Sequence, residues 1–99
     1  MALSGRQKRH LRSLAHHLKV VVQVGKNGLT PTVLGGIDEA LGRHELIKVR
    51  FSGDREEKRS FSDTVASRLR AEPAGWVGHV GIFYRPAEAE EDRRVELPS

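Results

Sequence analysis

The chain has 99 residues, enough for one domain with a single hydrophobic core. Hydrophobic residues make up 37% and charged residues 30% of it, and the lack of cysteine excludes disulfides, thiolate catalysis and cysteine-ligated zinc. The net charge is +4, and no long apolar run is present near the start, so we expect neither a signal peptide nor a membrane span. A chain without cysteine fits the reducing cytoplasm, which is the location we expect.

The charges are distributed unevenly along the chain. Residues 87–99 hold five acids and two bases and carry −3, which leaves +7 on residues 1–86. The first 24 residues contain five bases and no acid. Because opposite charges attract over long distances, a basic body of this kind indicates a polyanionic partner, either a nucleic acid or an anionic membrane surface.

The chain begins with a predicted helix and strand. Ser4 followed three residues later by Gln7 is typical of a capping box, in which each residue satisfies a backbone N–H group of the other. Leucine and alanine then recur at helical spacing, which predicts a first helix over about 4–18. The β-branched run at 20–24 favours an extended conformation and predicts the first strand.

A second helix is predicted to begin at Thr30, a common N-cap residue. Pro31 fits the first helical position, where the missing N–H group is not needed. Apolar residues at helical spacing continue to about Gly42, where we expect the helix to end. Gly35 and Gly36 lie inside it and weaken it by about 1 kcal/mol each relative to alanine. We attribute this glycine pair to close packing against another element.

Another strand and another helix follow. Leu46–Phe51 alternates apolar and basic side chains, which predicts a half-buried strand. Asp54 with Glu57 resembles a second capping box and predicts the start of a third helix. The first turns of this helix are entirely polar, so a later start at Ser62 is the alternative. The helix should end before Pro73, which cannot continue it.

The remainder predicts a hairpin and a tail. Residues 75–85 read as two strands joined by Gly78 and His79, and glycine in the first turn position suits a type II′ hairpin. The acidic residues beyond predict a disordered tail over 87–99, after a folded domain at 1–86. The order α-β-α-β-α-β-β predicts an α/β fold, a compact domain with a mixed four-stranded sheet, in which right-handed crossovers give parallel pairing and the hairpin adds an antiparallel strand.

The main candidate site is the loop Gly25-Lys26-Asn27-Gly28 between the first strand and the second helix. Glycines permit positive φ angles and close approach of another backbone, and free N–H groups at a helix start favour phosphate. Lys26 adds a positive charge, and Asn27 can bond to a sugar, a phosphate or a base edge. The same Gly-x-x-Gly spacing clamps backbone nucleotides in KH domains. On these four residues alone, a tight turn that happens to contain lysine remains the alternative.

The basic residues of the first helix are a second candidate. A solvated helix face is the alternative, but such faces usually mix positive and negative charges. A run of bases without one acid favours contact with phosphates. These residues are Arg6, Lys8, Arg9 and Arg12, with Lys19 just beyond.

Catalytic and metal-binding patterns are not evident in this sequence. His16 and His17 are adjacent and diverge by about 100° on a helix, so they cannot easily share one site. No His-Glu-x-x-His motif, Walker loop or nucleophile elbow occurs, and no pair of acids is placed for acid–base chemistry. We therefore expect a protein that is not an enzyme and has no cofactor, no metal and no small-molecule substrate.

Several short motifs together resemble the CRM domain (chloroplast RNA splicing and ribosome maturation). As a lone short domain, the chain is most similar to the bacterial YhbY-like members of that family. The resemblance covers about residues 3–86, and it departs from the family at Val20, where proline is common, at the glycine pair of the second helix, and in the polar stretch 52–60. The motifs are LAHHL at 14–18, VGKNGLT at 24–30, IDEAL at 37–41, HELIKV at 44–49, GH at 78–79 and YRP at 84–86.

The resemblance implies a fold similar to the C-terminal domain of translation initiation factor three. It also implies RNA binding through the Gly-x-x-Gly loop and nearby basic surface, with rRNA of the large ribosomal subunit precursor as partner. We expect a monomer without a membrane partner. The alternative is a protein-interaction adaptor that uses a sheet edge or the acidic tail and binds RNA only incidentally. The residues expected to contact RNA are Gly25, Lys26, Asn27, Gly28, Arg6, Arg9, Arg12, Lys48, Arg50 and Arg85.

Overall fold

A computed structural model describes residues 2–99. These residues form three helices packed on one four-stranded sheet, so the predicted α/β fold is confirmed. Within the same residues, no helix has the length and apolar character needed to cross a membrane. In chain order the elements are α1 Gly5–Ala15, β1 Val20–Gln23, α2 Pro31–His44, β2 Leu46–Arg50, α3 Arg55–Leu69, β3 Glu72–Val77 and β4 Val80–Tyr84, followed by a short 3-10 helix at Glu90–Asp92.

The three α-helices α1, α2 and α3 each begin with the side-chain cap that the sequence predicts. The Ser4 hydroxyl accepts the Gln7 N–H group at 3.1 Å, and the Gln7 side chain accepts the Ser4 N–H group at 3.0 Å. Asp54 and Glu57 form the equivalent pair at 2.8 and 3.0 Å. Thr30 caps α2 with its hydroxyl. Because the second capping box is complete, α3 begins directly after Asp54 and not at the later alternative start.

The sheet has the strand order β1-β2-β4-β3. β1 and β2 are parallel, with Val22 opposite Val49, while β4 is antiparallel to both of its neighbours. The hairpin turn lies at Gly78 and His79, as predicted, and only Gly78 of the two has a positive φ angle, 59°, which fits a type II′ turn. β1 and β3 are therefore the two edges of the sheet.

The two faces of the sheet bury separate apolar clusters. Ile47 and Val49 of β2 point to the face covered by α2 and α3 and belong to one cluster. Leu46, on the opposite side of the same strand, packs with Leu11 and Ala15 of α1 in the other cluster. Because successive side chains of a strand point to opposite faces, the alternation in β2 determines which helices pack on which side.

Helix boundaries differ modestly from the predictions. α1 ends at Ala15 and not near residue 18, because the chain tightens there, with the Leu18 N–H group donating to the Ala15 carbonyl at 2.9 Å. α2 continues past Gly42 to His44 and ends at Glu45, whose φ angle of 62° turns the chain into β2. The first two strands each end one residue earlier than predicted.

The interpretation of the glycine pair in α2 is wrong. Gly35 and Gly36 are both exposed, and a Cβ atom added at either position would meet nothing within 4 Å. Close packing against another element of this chain therefore does not account for them. The two glycines weaken α2, because the glycine backbone has greater conformational freedom to lose on folding.

Residues 87–99 lie against the domain, whereas their acidic composition predicts a disordered tail. The Glu45 carboxylate accepts backbone N–H groups of Ala87, Arg94 and Val95 at 2.6–3.1 Å. Val95 and Leu97 also pack against the apolar cluster under α1. Composition does not reveal these contacts, because they depend on one buried carboxylate and two apolar residues within a charged segment.

Candidate nucleic-acid interface

The Gly-x-x-Gly loop is a tight turn fixed at both ends. The Val24 N–H group donates to the carbonyl of Arg50 at 2.9 Å, which continues the parallel pairing up to the start of the loop. The Gly28 N–H group then donates to the Gly25 carbonyl at 3.1 Å and closes the turn. The loop ends at the cap of α2, where the Thr30 hydroxyl accepts an N–H group of the first turn at 3.2 Å. The central two residues are therefore presented by a fixed backbone.

The two glycines of the loop have different structural roles. Gly28 has a φ angle of 67°, a conformation that costs other residue types free energy. Gly25 has no positive φ angle, and a Cβ atom added there would meet nothing within 4 Å. The fold explains glycine at position 28 but not at position 25. What glycine provides at position 25 is open space directly above an exposed backbone.

Lys26 and Asn27 form the tip of the loop. Both side chains are exposed. Among residues 2–99, neither takes part in a side-chain hydrogen bond or an ion pair. A lysine ammonium group and an asparagine amide are thus free to bind a ligand, next to the N-terminus of α2, which carries partial positive charge.

The topology brings two further segments to the same end of the sheet. β1 and β2 run in parallel and both finish there, and β4 begins there because Arg50 pairs with Val80. The hairpin turn is joined to the end of β2 by a bond from the Phe51 N–H group to the His79 carbonyl at 2.8 Å. Lys58 of α3 donates to the carbonyl of Gly78 at 2.9 Å. This end of the sheet therefore carries cations from several elements.

The sequence prediction missed Lys58 and His79 as members of this surface. The order of elements along the chain does not specify that β4 inserts between β2 and β3, and this insertion is what places the hairpin turn beside the loop. One sequence feature could have indicated Lys58: the capping box at Asp54 marks the start of α3, and Lys58 belongs to the polar first turns that follow it.

The two basic residues predicted on β2 differ in how freely their side chains can bind a ligand. Arg50 is exposed, lies opposite Gln23 at the end of β1 and supplies the carbonyl that fixes the start of the loop. The structure thus brings Arg50 and the loop together. Lys48 is half-buried further back along the strand, and its ammonium group donates to the carbonyl of Leu18 at 3.1 Å.

The basic residues of α1 lie elsewhere. α1 packs across β3, β4 and β2 on the face opposite α2 and α3. Arg6 and Arg9 are exposed on it, whereas Arg12 is half-buried and donates to the carbonyl of Ala74 at 2.7 Å. Since Ala74 belongs to β3, Arg12 lies towards the edge of the sheet opposite the loop.

Arg85 has an internal role in the structure. One of its terminal nitrogens donates to the carboxylate of Asp38 at 2.6 Å and to the carbonyl of Leu69 at 2.8 Å. The other donates to the carbonyl of Asp38 at 3.0 Å. The guanidinium group thereby joins α2, α3 and the end of β4, and a contact with RNA would require some of these bonds to be given up.

In the described part of the chain, residues 2–99, two groups have a shifted pKa, and both lie away from the loop. Burial alone would raise the pKa of Glu45, but three backbone N–H donors and the charge of Arg93 outweigh it and lower the pKa below 4.5. Burial, and then the nearby Glu45 carboxylate, raise the pKa of the Tyr84 hydroxyl. Within residues 2–99, no three histidine or acidic side chains are grouped as metal ligands would be.

Comparison with known proteins gives consistent matches along nearly the whole chain. The model of the CRS1 / YhbY (CRM) domain family matches residues 3–85. An "RNA-binding protein" of Haemophilus influenzae is 43% identical over 97 residues, which cover 97% of this chain and 95% of that protein. A Bacillus subtilis protein named "Probable RNA-binding protein YqeI" is 37% identical, with coverage of 97% and 99%. The solution structure of a Staphylococcus aureus protein superposes with a TM-score of 0.82 at 35% identity, covering 98% and 100% of the two chains.

Proposed function

The chain belongs to the CRS1 / YhbY (CRM) domain family, and from this premise we propose that it binds rRNA of the large ribosomal subunit precursor and acts in its assembly. Relatives named as RNA-binding proteins support the class of partner. The basic surface and the free loop support the mode of contact.

One observation carries the proposal more than any other: Gly25 is a glycine that the fold itself does not require. An RNA backbone that approaches the loop can come close to the main chain there, because no side chain stands in the way. Lys26 then neutralises a phosphate, and the Asn27 amide donates or accepts a hydrogen bond. Gly28 keeps the turn tight through its positive φ angle.

The neighbouring cations extend this contact along the end of the sheet. Arg50 is adjacent to the loop, and Lys58 lies across the end of β2, beside the hairpin turn. Contacts of this kind bind the phosphate backbone and fix its position without reading base sequence. We therefore expect affinity for RNA to fall steeply with salt, because bound counterions are released from each phosphate that the protein neutralises.

Gly25→Ala tests the proposal directly. The variant should unfold at the wild-type temperature, because the added methyl group meets nothing within 4 Å. It should bind large-subunit rRNA fragments several-fold more weakly, since the methyl group occupies the space needed by the RNA. Gly36→Ala is the matched control, because that glycine is also exposed, an added Cβ atom there also meets nothing within 4 Å, and it lies within α2 and outside the loop. Equal affinity of the two variants would contradict the proposed clamp.

A protein-interaction adaptor is the second candidate, and one observation favours it. Leu14, Leu18 and Val21 are exposed to 39%, 40% and 46% and line a single groove between α1 and β1. Exposed apolar groups gathered in this way are typical of protein contacts. Co-sedimentation with ribosomal particles separates the two functions, because nuclease treatment should release the protein if RNA is the partner and leave it bound if a protein is.

The proposal also includes the manner in which the protein acts. We propose a monomer in the cytoplasm that binds RNA without catalysing a reaction. Its mass in solution, measured by light scattering with and without an rRNA fragment, tests whether it is a monomer. Recovery of the RNA unchanged after prolonged incubation with the protein tests whether it binds without catalysing a reaction.

A further inference from the structure

A second basic groove lies at the β3 edge of the sheet, away from the Gly-x-x-Gly loop. We call it the Trp76 groove. It runs between α1 on one face of the sheet and α3 on the other, and the floor is formed by the β3 segment 73–76. Its chemistry comes from Lys8 and Arg12 of α1, Arg55, Lys58 and Arg59 of α3, and the Trp76 ring.

Positive charge dominates this groove. Five of the side chains that line it are cations, and Asp63 is the one carboxylate among its lining residues. Lys8, Arg55 and Arg59 make no ion pair with any residue in the range 2–99. Like charges gathered at one concave surface repel each other, and an anionic partner relieves that repulsion. The groove is thus suited to a polyanion.

Two of the cations are fixed in place by the fold. Arg12 donates to the Ala74 carbonyl at 2.7 Å and lies directly over Gly75, where an added Cβ atom would come within 2.9 Å of the arginine side chain. Lys58 donates to the Gly78 carbonyl and lies 5.7 Å from the centre of the Trp76 ring. Each wall of the groove therefore has one cation, Arg12 of α1 or Lys58 of α3, held in place before any ligand binds, which reduces the entropy lost on binding.

The Trp76 groove and the Gly-x-x-Gly loop lie on opposite edges of one sheet. Three strand spacings separate β1 from β3 in the order β1-β2-β4-β3, which amounts to about 14 Å. The hairpin turn connects them, because Lys58 reaches the Gly78 carbonyl and the neighbouring His79 is bonded to the end of β2. A single RNA chain of a few nucleotides can thus cross the end of the sheet and contact both.

We propose that the Trp76 groove binds a single-stranded segment of the same RNA through its phosphates, as a second contact beyond the loop. This inference rests on the proposed function. Cations of α1 and α3 stand on the two sides of a floor formed by one strand, β3, so a single sugar–phosphate backbone lying on that floor can be neutralised from both sides. Continuity with the loop through the hairpin turn favours RNA over an acidic protein segment.

The test uses the double variant Arg55→Ala/Arg59→Ala in the full chain. Both side chains are exposed and make no hydrogen bond or ion pair within residues 2–99, so the fold should be unaffected. The control is Arg68→Ala, an exposed arginine in the last turn of the same helix that does not line the groove. Circular dichroism and thermal unfolding verify that both variants fold.

The probe is an unpaired rRNA fragment of roughly 20 nucleotides, long enough to span both sites. We expect the double variant to bind it about tenfold more weakly at low salt, and the slope of log affinity against log salt to fall by about 1.4, which corresponds to two phosphates. Arg68→Ala should match the wild type. If the double variant keeps the affinity and slope of Arg68→Ala, the groove is not an RNA site.

Two further binding experiments distinguish single-stranded RNA from duplex RNA and from an acidic protein. With the same fragment annealed to its complement, the double variant and the control should bind alike, and an equal loss on duplex would overturn the single-strand assignment. Poly-glutamate competing with RNA at equal charge concentration would indicate an acidic protein partner and overturn the proposal. If Lys26→Ala weakens binding while the groove variant does not, only the groove is wrong. Absence of RNA binding by the wild type would contradict the proposed function itself.

Discussion

Glu45 and Val95 are fifty positions apart in the chain, yet a carboxylate oxygen of Glu45 accepts the Val95 N–H group at 3.1 Å. The same carboxylate accepts N–H groups from Ala87 and Arg94. Glu45 is only 4% exposed and has a positive φ angle, so the fold places a charged side chain in a costly position. The three donors compensate for its burial and fasten residues 87–95 to the domain.

Replacing Glu45 should therefore loosen the C-terminal segment and lower stability. We expect Glu45→Ala to reduce the free energy of unfolding by about 1–3 kcal/mol, because three backbone N–H groups lose a charged acceptor. Denaturant unfolding measures this loss, and hydrogen exchange at residues 87–95 should accelerate. Glu39→Ala is the control, since Glu39 is exposed and forms only a surface pair with Arg43. Equal stability of the two variants would contradict the role of Glu45.

The contribution of Glu45 should depend on pH in one direction. Its pKa in the folded protein is lower than 4.5, its ordinary value, so the ionised form stabilises the fold. This stabilisation is fully present above pH 4.5 and is lost as the pH falls through the folded pKa. The difference in unfolding free energy between the wild type and Glu45→Gln should thus be large at neutral pH and shrink in acid. A difference that grows in acid would contradict this assignment.

Gly35 and Gly36 offer a stabilising substitution. Both are exposed within α2, neither has a positive φ angle, and added Cβ atoms meet nothing within 4 Å. Gly36→Ala should raise the free energy of unfolding by about 0.5–1 kcal/mol, because alanine loses less backbone entropy in a helix. Gly28→Ala is the contrasting variant and should be destabilising, since its φ angle is 67°. Thermal unfolding should show a higher stability for Gly36→Ala and a lower stability for Gly28→Ala than for the wild type.

Replacing Arg85 should affect the stability of the fold more than the binding of RNA. Arg85→Ala should lower stability by about 1–3 kcal/mol, because three acceptors on α2 and α3 lose a charged donor. Its effect on the salt dependence of RNA binding should be smaller than that of Lys26→Ala. The control Arg43→Ala removes an exposed arginine with a single surface partner and should change stability little. A variant that folds as stably as the wild type would refute the internal role.

The sequence predicts features that depend on local chemistry. Ser4, Thr30 and Asp54 begin helices because each side chain caps a backbone N–H group three residues away, and such signals are contained within a few residues. Gly78 determines its turn in the same way. Helix starts, the hairpin and the loop were therefore predictable from short stretches of sequence.

Other features depend on contacts between distant residues and could not be predicted in this way. The insertion of β4 between β2 and β3 places the hairpin turn with His79 at the loop end of the sheet, where Lys58 of α3 donates to the Gly78 carbonyl. The internal bonds of Arg85 reach Asp38 of α2 and Leu69 of α3, and no local pattern around Arg85 indicates those partners, while its contact with RNA stays a prediction. The packing of residues 87–99 likewise depends on distant contacts, namely the bonds to the Glu45 carboxylate and the packing of Val95 and Leu97 against the apolar cluster under α1.

The most direct test of RNA binding by the loop is the salt dependence of rRNA affinity for the wild type and Lys26→Ala. Lys26 is exposed and makes no side-chain hydrogen bond or ion pair within residues 2–99, so the variant should fold normally. We expect weaker binding and a slope of log affinity against log salt that is smaller by about 0.7, the value for one phosphate on a single strand. Arg68→Ala should match the wild type. A Lys26→Ala variant with wild-type affinity and slope would contradict the central claim that this loop binds RNA.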